Sequence, residues 1–470
     1  MTNNTTIGSK TNFIKLFKQA LKGDIKDFTT GSIDKAIFLL AVPMVLEMLL
    51  ESTFAIVDIY FVNKVHTGAA TIVGLTESSL SILYSIAWGI AMGATALIAR
   101  RVGEKNVKEA STVASQAILI AVGFSLIISV IGFLFPKEIL LLMGADKAIA
   151  EEHYHFTQLM MISNVVIMLL FVNNGIFRGA GDASIAMKAL LVSNVINIIL
   201  DPLLIMGYGP FPQMGLMGAA VATTIGRSVG VIYQLWHLFN GKSIIRINIK
   251  QFLPKKDTIK ALLGTSSGAM VQFIIASCSW IFLASIIAAE GEERADGYFT
   301  AIRICIFTLL PVWGIANAAA TLVGQNLGAV QPERAEKSVW RSAFIAFVFF
   351  AAVAIIFFFF GENLMMFFTS NPISIKEGKL CLNVLSIGYL FFAYGMVVTQ
   401  AFNGAGDTKT PTYINIIAFW ALQIPLAYFM ANYLKMTTTG VYIAICVAEG
   451  FLAIISIFIF KKGKWKKIKV

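Results

Sequence analysis

Glu47, Glu51 and Asp58 lie within residues 36–62, an apolar run where a carboxylate has no obvious solvent. On a helix they fall at i, i+4 and i+11, which at 100° per residue places them within about 40° of one another, on a single stripe. At the centre of a bilayer each acid costs about 2.5–3.5 kcal/mol on insertion scales. Such a stripe must therefore face protein or a water-filled cavity. A second polar stripe occurs at Asn194, Asn197 and Asp201, spaced i, i+3 and i+7 and followed by Pro202. Proline cannot donate to the carbonyl of Ile198, so that oxygen is freed beside Asp201. A carboxylate, amides and a loose carbonyl are hard oxygen ligands suited to Na⁺. Two carboxylates brought close in a dry site would equally serve a proton carrier, because one is forced to stay protonated. Either chemistry requires Asp58 and Asp201 to converge. Thr223 is placed to add a hydroxyl from the next span, or to bond back to its own helix. Glu47, Glu51 and Asn194 are left as candidates for a substrate cavity beside that cation site.

These residues need a membrane-spanning scaffold, and the composition supplies one. The chain has 470 residues, of which 57% are hydrophobic and 13% charged, with a mean hydropathy of +0.77. That is the composition of a polytopic membrane protein. The first apolar run begins near residue 36 and is too long for a signal-peptide core, so no cleavable leader is expected. The pattern predicts twelve spans near 36–62, 73–98, 113–135, 153–176, 186–207, 216–237, 260–288, 298–322, 342–366, 379–402, 411–431 and 440–460. The cysteines (278, 305, 381 and 446) show no ligand spacing, and the four histidines show none beyond an isolated pair at His153 and His155, which reads as solvated surface. No metal centre, disulfide framework or bound cofactor is expected beyond the coupling ion.

Residues 1–35 are basic and carry Phe13, Phe17, Ala20, Leu21 and Phe28 at helical spacing, with Lys15, Lys18, Lys22 and Lys26 on other faces. They read as an amphipathic segment on the anionic inner leaflet, or as a disordered tail. Residues 238–259 are a polar, basic linker between halves 36–237 and 260–460, and 461–470 form a basic tail. With both termini inside, the N-terminal segment, Arg100, Arg101, Lys105, Arg178, the linker, Arg334, Lys337, Arg341 and the tail all fall on one side. The net charge of +11 is then a topology signal, and no nucleic-acid partner is required.

The two halves repeat at an offset of 225 residues. Trp88-Gly-Ile-Ala-Met-Gly-Ala-Thr-Ala-Leu answers Trp313-Gly-Ile-Ala-Asn-Ala-Ala-Ala-Thr-Leu, Phe177-Arg-Gly-Ala-Gly-Asp answers Phe402-Asn-Gly-Ala-Gly-Asp, and Gly215 answers Gly440. Six spans per half give both halves the same orientation, as in transporters whose cleft lies between two like lobes. The glycine-rich turns lack the strand that a phosphate-binding loop requires before it. They read as tight turns in which Asp182 and Asp407 cap the next helix. The second half offers no equivalent cation site: its seventh, eighth and tenth spans carry no mid-membrane acid, only Gln272, Arg303 and Gln400 as notable polar groups.

Leu40-Ala-Val-Pro-Met, Val57-Asp58, the repeated Trp-Gly-Ile-Ala segment, Phe177-Arg-Gly-Ala-Gly-Asp and Asn197-Ile-Ile-Leu-Asp201-Pro resemble, in this order, the MATE (multidrug and toxic compound extrusion) transporters. The resemblance runs from about residue 32 to 460. It implies two six-helix lobes around a V-shaped cavity, export of organic and often cationic compounds against Na⁺ or H⁺, and a cation site at Asp58, Asn197, Asp201 and Thr223. It also implies a monomer in a bacterial or archaeal-type plasma membrane. The lack of the C-lobe carboxylates of the NorM-like branch places the chain nearer the DinF-like branch, and Glu51 stands where the family often has an amide. A lipid-linked oligosaccharide flippase of the same superfamily is the nearest alternative. No nucleophile–base pair lies in the spans, so enzymatic activity is not expected.

Overall fold

The computed structural model describes residues 10–23, 27–62, 69–241 and 243–468; within its helices the side chains of residues 10–12, 55, 58, 59 and 69–71 are not described. Among the described residues the fold is wholly helical: α1 Lys10–Lys22, α2 Ile33–Val62, α3 Ala69–Gly103, α4 Val107–Leu134, the short α5 Pro136–Leu142, α6 Lys147–Ile162, α7 Asn164–Ala180, α8 Ala183–Ile205, α9 Leu216–Asn240, α10 Lys256–Ala288, α11 Glu292–Gly328, α12 Pro332–Phe368 and α13 Pro372–Gly404. Two more complete the chain, α14 over Lys409–Tyr433 and α15 over Thr437–Lys461. Among the described residues eleven spans qualify by length and apolarity, with α6 and α7 forming one span broken at Ser163. The 30-residue α2 completes the twelve expected.

Most helices overrun the apolar runs that predicted them. The eleventh span departs from ideal geometry, with i→i+5 turns over Ile416–Gln423 and Phe429–Tyr433. The amphipathic N-terminal helix is present as α1 but ends at Lys22, so Phe28 lies beyond it and is buried.

The 225-residue repeat extends down to hydrogen bonds. The turn after α3 puts Lys105 at φ 58°, and the turn after α11 puts Val330 at φ 59°. Asn106 N–H donates to the Arg101 carbonyl, as Gln331 N–H does to Asn326. Gly181 and Gly406 end α7 and α13 at φ 86° and 87°, where a side chain would be strained. Asp407 caps α14, accepting from Thr410 N–H at 3.2 Å and Oγ1 at 2.7 Å. Asp182 does not cap α8. It accepts instead from Ser243 Oγ at 2.7 Å and Ile244 N–H at 3.1 Å, holding the linker down.

The halves meet along a seam in which the first helix of each leans on the other. Residues 36–44 of α2 belong to the core built by α11, α12, α13 and α15. Leu262 and Met270 of α10 pack with the core of α3, α4 and α6–α9. Gly314 abuts α2 so closely that an added Cβ would lie 2.7 Å from Val45 N, and its counterpart Gly89 meets Met270 in the same way. Trp88 and Trp313 touch each other across the pseudo-twofold axis at 6.2 Å.

Gly314→Ala is expected to force α2 and α11 apart and to lower the melting temperature of detergent-purified protein, in line with an overpacking cost of about 1–3 kcal/mol. An unchanged melting temperature would show slack at the seam.

Candidate functional site

The α2 acids are met by arginines from two other helices. Arg178, on the last turn of α7, donates to Glu47 Oε1 at 2.9 Å, and both side chains are almost wholly buried. Arg178 also lies over the Trp88 ring at 5.5 Å. One turn along α2, Glu51 faces Arg227 of α9 at 3.4 Å, and its side chain keeps 24% of its surface exposed. Arg227 sits over the Phe54 ring at 4.8 Å. Removing two charges from water is repaid only when geometry and hydrogen bonds are good, and Glu47 and Glu51 are each answered by an arginine. Glu47, an expected cavity residue, is thus closed into the seam in this conformation, while Glu51 remains partly open. Arg178, which the charge pattern assigns to the basic end, points into the interior instead.

The second stripe lies on α8. Asn197 Nδ2 donates to Asp201 Oδ1 at 3.1 Å, and both residues are fully buried. Asn194 turns its amide to the Leu190 carbonyl of its own helix at 2.8 Å. Helix α9 runs antiparallel to α8, with Gly218 against Leu204 and Gly226 against Ser193 and Asn197. That register brings buried Thr223 level with the Asn197–Asp201 turn. Asp58 lies on the last third of α2, and its side chain is outside the described residues. Asn197, Asp201 and Thr223 therefore form one polar patch between α8 and α9. Its carboxylate, amide and hydroxyl oxygens have the chemistry of an alkali-cation or proton site.

The repeat exposes a contrast. Glu47 and Arg178 correspond, 225 residues on, to Gln272 and Asn403. These form a mutual amide pair, Gln272 Nε2 to Asn403 Oδ1 at 3.1 Å and Asn403 Nδ2 to Gln272 Oε1 at 3.2 Å. The second half keeps the contact and discards the charge. It is nevertheless not without buried acids. Glu377 of α13 accepts from Thr438 Oγ1 at 2.5 Å and Tyr442 Oη at 2.7 Å, and Glu449 is buried midway along α15. Glu449 stands alone in an apolar run, so no spacing marks it. Arg227 is equally isolated, and its one signal is the α2 stripe itself, since three acids on one face require cations within the membrane.

A transporter is the class this arrangement defines: two like-oriented six-span halves, an inter-half seam, and buried ionisable groups concentrated in one half. The MatE family model matches twice, over residues 43–203 and 269–429, and the chain belongs to that family of membrane transporters. It is 26% identical over 435 residues to a probable multidrug resistance protein NorM of Thermotoga maritima, covering 93% of this chain and 94% of that one. It is 23% identical to the multidrug export protein MepA of Staphylococcus aureus, covering 92% and 94%. Among solved structures, a MOP superfamily transporter from Pyrococcus furiosus matches with TM-score 0.86 at 24% identity, over 96% of this chain and 98% of that one. A MATE structure in a straight conformation matches with TM-score 0.87 at 25% identity, over 96% and 99%.

Removing one partner of a buried ion pair costs about 3–5 kcal/mol, so Arg178→Ala should destabilise the protein by that order. The double variant Glu47→Gln with Arg178→Asn rebuilds the Gln272–Asn403 pair in the first half and is expected to recover most of the loss in thermal unfolding. A double variant as unstable as Arg178→Ala would show that charge itself is needed there.

Proposed function

We propose that this protein is a secondary active antiporter that exports organic, often cationic, compounds in exchange for Na⁺ or H⁺. The observation that carries the reading is the buried Asn197–Asp201 pair on α8, level with Thr223, in a scaffold of two halves that close on each other at one end. The names of the relatives, multidrug resistance and multidrug export, support it. The basic segments, α1 and residues 461–468 among them, gather at the closed end, which by the charge rule faces the cytoplasm of a plasma membrane. The conformation described is then closed to the inside, and the protein acts as a monomer on small organic substrates.

In this mechanism Asp58 and Asp201 share the ion. A cation or proton between them removes the repulsion of two carboxylates in a low-dielectric site, so the loaded and empty states favour different separations of α2 and α8. Helix α2 also packs in the core of the second half through residues 36–44. A change at its far end is therefore felt at the seam that seals the cytoplasmic side. A lipid-linked oligosaccharide flippase would need free cations for its pyrophosphate. Here Arg178 and Arg227 are engaged by Glu47 and Glu51, which favours the antiporter.

The test is transport of ethidium by proteoliposomes with Na⁺ and H⁺ gradients imposed separately. Asp58→Asn and Asp201→Asn should each abolish gradient-driven movement while the protein stays folded and inserted. Persisting transport by Asp201→Asn would place the coupling site elsewhere. Glu51→Gln should change only pH dependence or substrate range, because it removes a carboxylate from beside Arg227 without touching the α8 pair; an identical profile would make Glu51 a bystander.

A further inference from the structure

The N-terminal segment touches both halves at their closed end. At the end of α1, the Lys22 carbonyl accepts from Ser184 Oγ at 3.4 Å and Lys188 Nζ at 3.3 Å, tying α1 to α8 of the first half. Past the segment 24–26, Arg334 of α12 in the second half donates to the carbonyls of Phe28 at 3.3 Å, Thr30 at 2.9 Å and Gly31 at 2.9 Å. Asp34 then takes Arg341 in a two-point contact, at 2.5 and 3.2 Å. Between these ties Phe28, 3% exposed, is wedged where the halves meet. A Cβ on Gly181 would lie 2.9 Å from its ring and 3.2 Å from Gln325 Nε2 of α11.

Helix α1 has three faces. Leu16 and Ala20 pack on the protein. Phe13, Ile14 and Phe17 are 52%, 56% and 37% exposed. Lys15, Lys18 and Lys22 fall on a third arc, about 60° wide at 100° per residue, and all three reach the surface. Phe13 stacks edge-on against Phe38 at 5.5 Å. Phe38 is five residues into α2, roughly 7 Å along its axis at 1.5 Å per residue. That is the depth at which an in-plane amphipathic helix seats its apolar face below the headgroups.

We propose that α1 and residues 27–34 form a latch anchored in anionic lipid. Phe13, Ile14 and Phe17 enter the acyl boundary, the three lysines hold lipid phosphates, and the segment so fixed braces the cytoplasmic ends of the two halves together. The lipid, rather than a protein partner, is favoured by the run of apolar surface from α1 onto the span and by the lysines beside it. The latch rests on the orientation proposed for the antiporter but not on antiport itself, and its test reads no transport.

The test is hydrogen–deuterium exchange of the full-length protein in nanodiscs of neutral phosphatidylcholine and of the same lipid with roughly 30 mol% phosphatidylglycerol. Each lysine near an anionic surface contributes roughly fivefold in binding, so amides of 13–23 should exchange at least tenfold more slowly in the anionic discs. Lys15→Glu, Lys18→Glu and Lys22→Glu together should erase that difference. Wherever α1 is released, residues 28–34 and the seam ends 97–103 and 322–330 should exchange faster. Arg334→Ala should loosen those same seam ends while leaving the lipid response of α1 intact. Equal α1 exchange in the two discs, with or without the lysines, would overturn the lipid anchor and would be the outcome for a surface awaiting a soluble partner. A seam indifferent both to α1 release and to Arg334→Ala would overturn the latch.

Discussion

A carboxylate that has left water must be met by a cation, a proton or several hydrogen bonds, and α2 carries three acids on one stripe. Much of the first half is arranged to meet them. Arg178 reaches in from the end of α7 and Arg227 from α9, so a single helix is stitched to two others by charge. Both arginines also lie over aromatic rings, Trp88 and Phe54, which suits a guanidinium that has lost much of its hydration. The ion pairs thus do more than neutralise. They fix α2 at the seam, where its opposite side is free to pack in the core of the other half.

The two halves show what the charge adds to the contact. At equivalent positions the first half has Glu47 with Arg178 and the second has Gln272 with Asn403. The backbone around both pairs is the same, down to the left-handed glycines and the hydrogen bonds that close each turn. Shape alone is therefore satisfied by amides. Charge at this level is confined to the first half, the same half that holds Asp201, so its electrostatic character is set apart from that of its twin by a few side chains.

Much of this is legible in the residues. Apolar runs near the length a bilayer requires leave little choice but helices, and the offset of 225 is readable from tryptophans and glycine turns. The i, i+3 and i+7 spacing places Asn197 and Asp201 on one face, and the structure gives them a shared hydrogen bond. Pairing across sequence distance is not legible in the same way. Nothing local to Glu47 names Arg178, 131 positions away, and a lone arginine at the end of a span looks like a topology charge. Asp182 and Asp407 occupy the same motif, yet one binds the linker and the other caps a helix. Their partners make the difference: Asp407 has Thr410 within reach, whereas Asp182 faces a segment that only the folded linker delivers. Glu377 is likewise explained only by Thr438 and Tyr442 of a different helix.

The exchange of first helices between the cores bears on how such a chain can be made. During synthesis α2 emerges early, but the core that residues 36–44 join is built largely by α11 to α15. Until those helices have been threaded into the bilayer, that stretch must lie against lipid tails, and the site that α10 will fill in the first half stays open. Neither half is then a finished folding unit by itself: the first core waits for α10, and the stretch 36–44 waits until nearly the whole chain has been delivered.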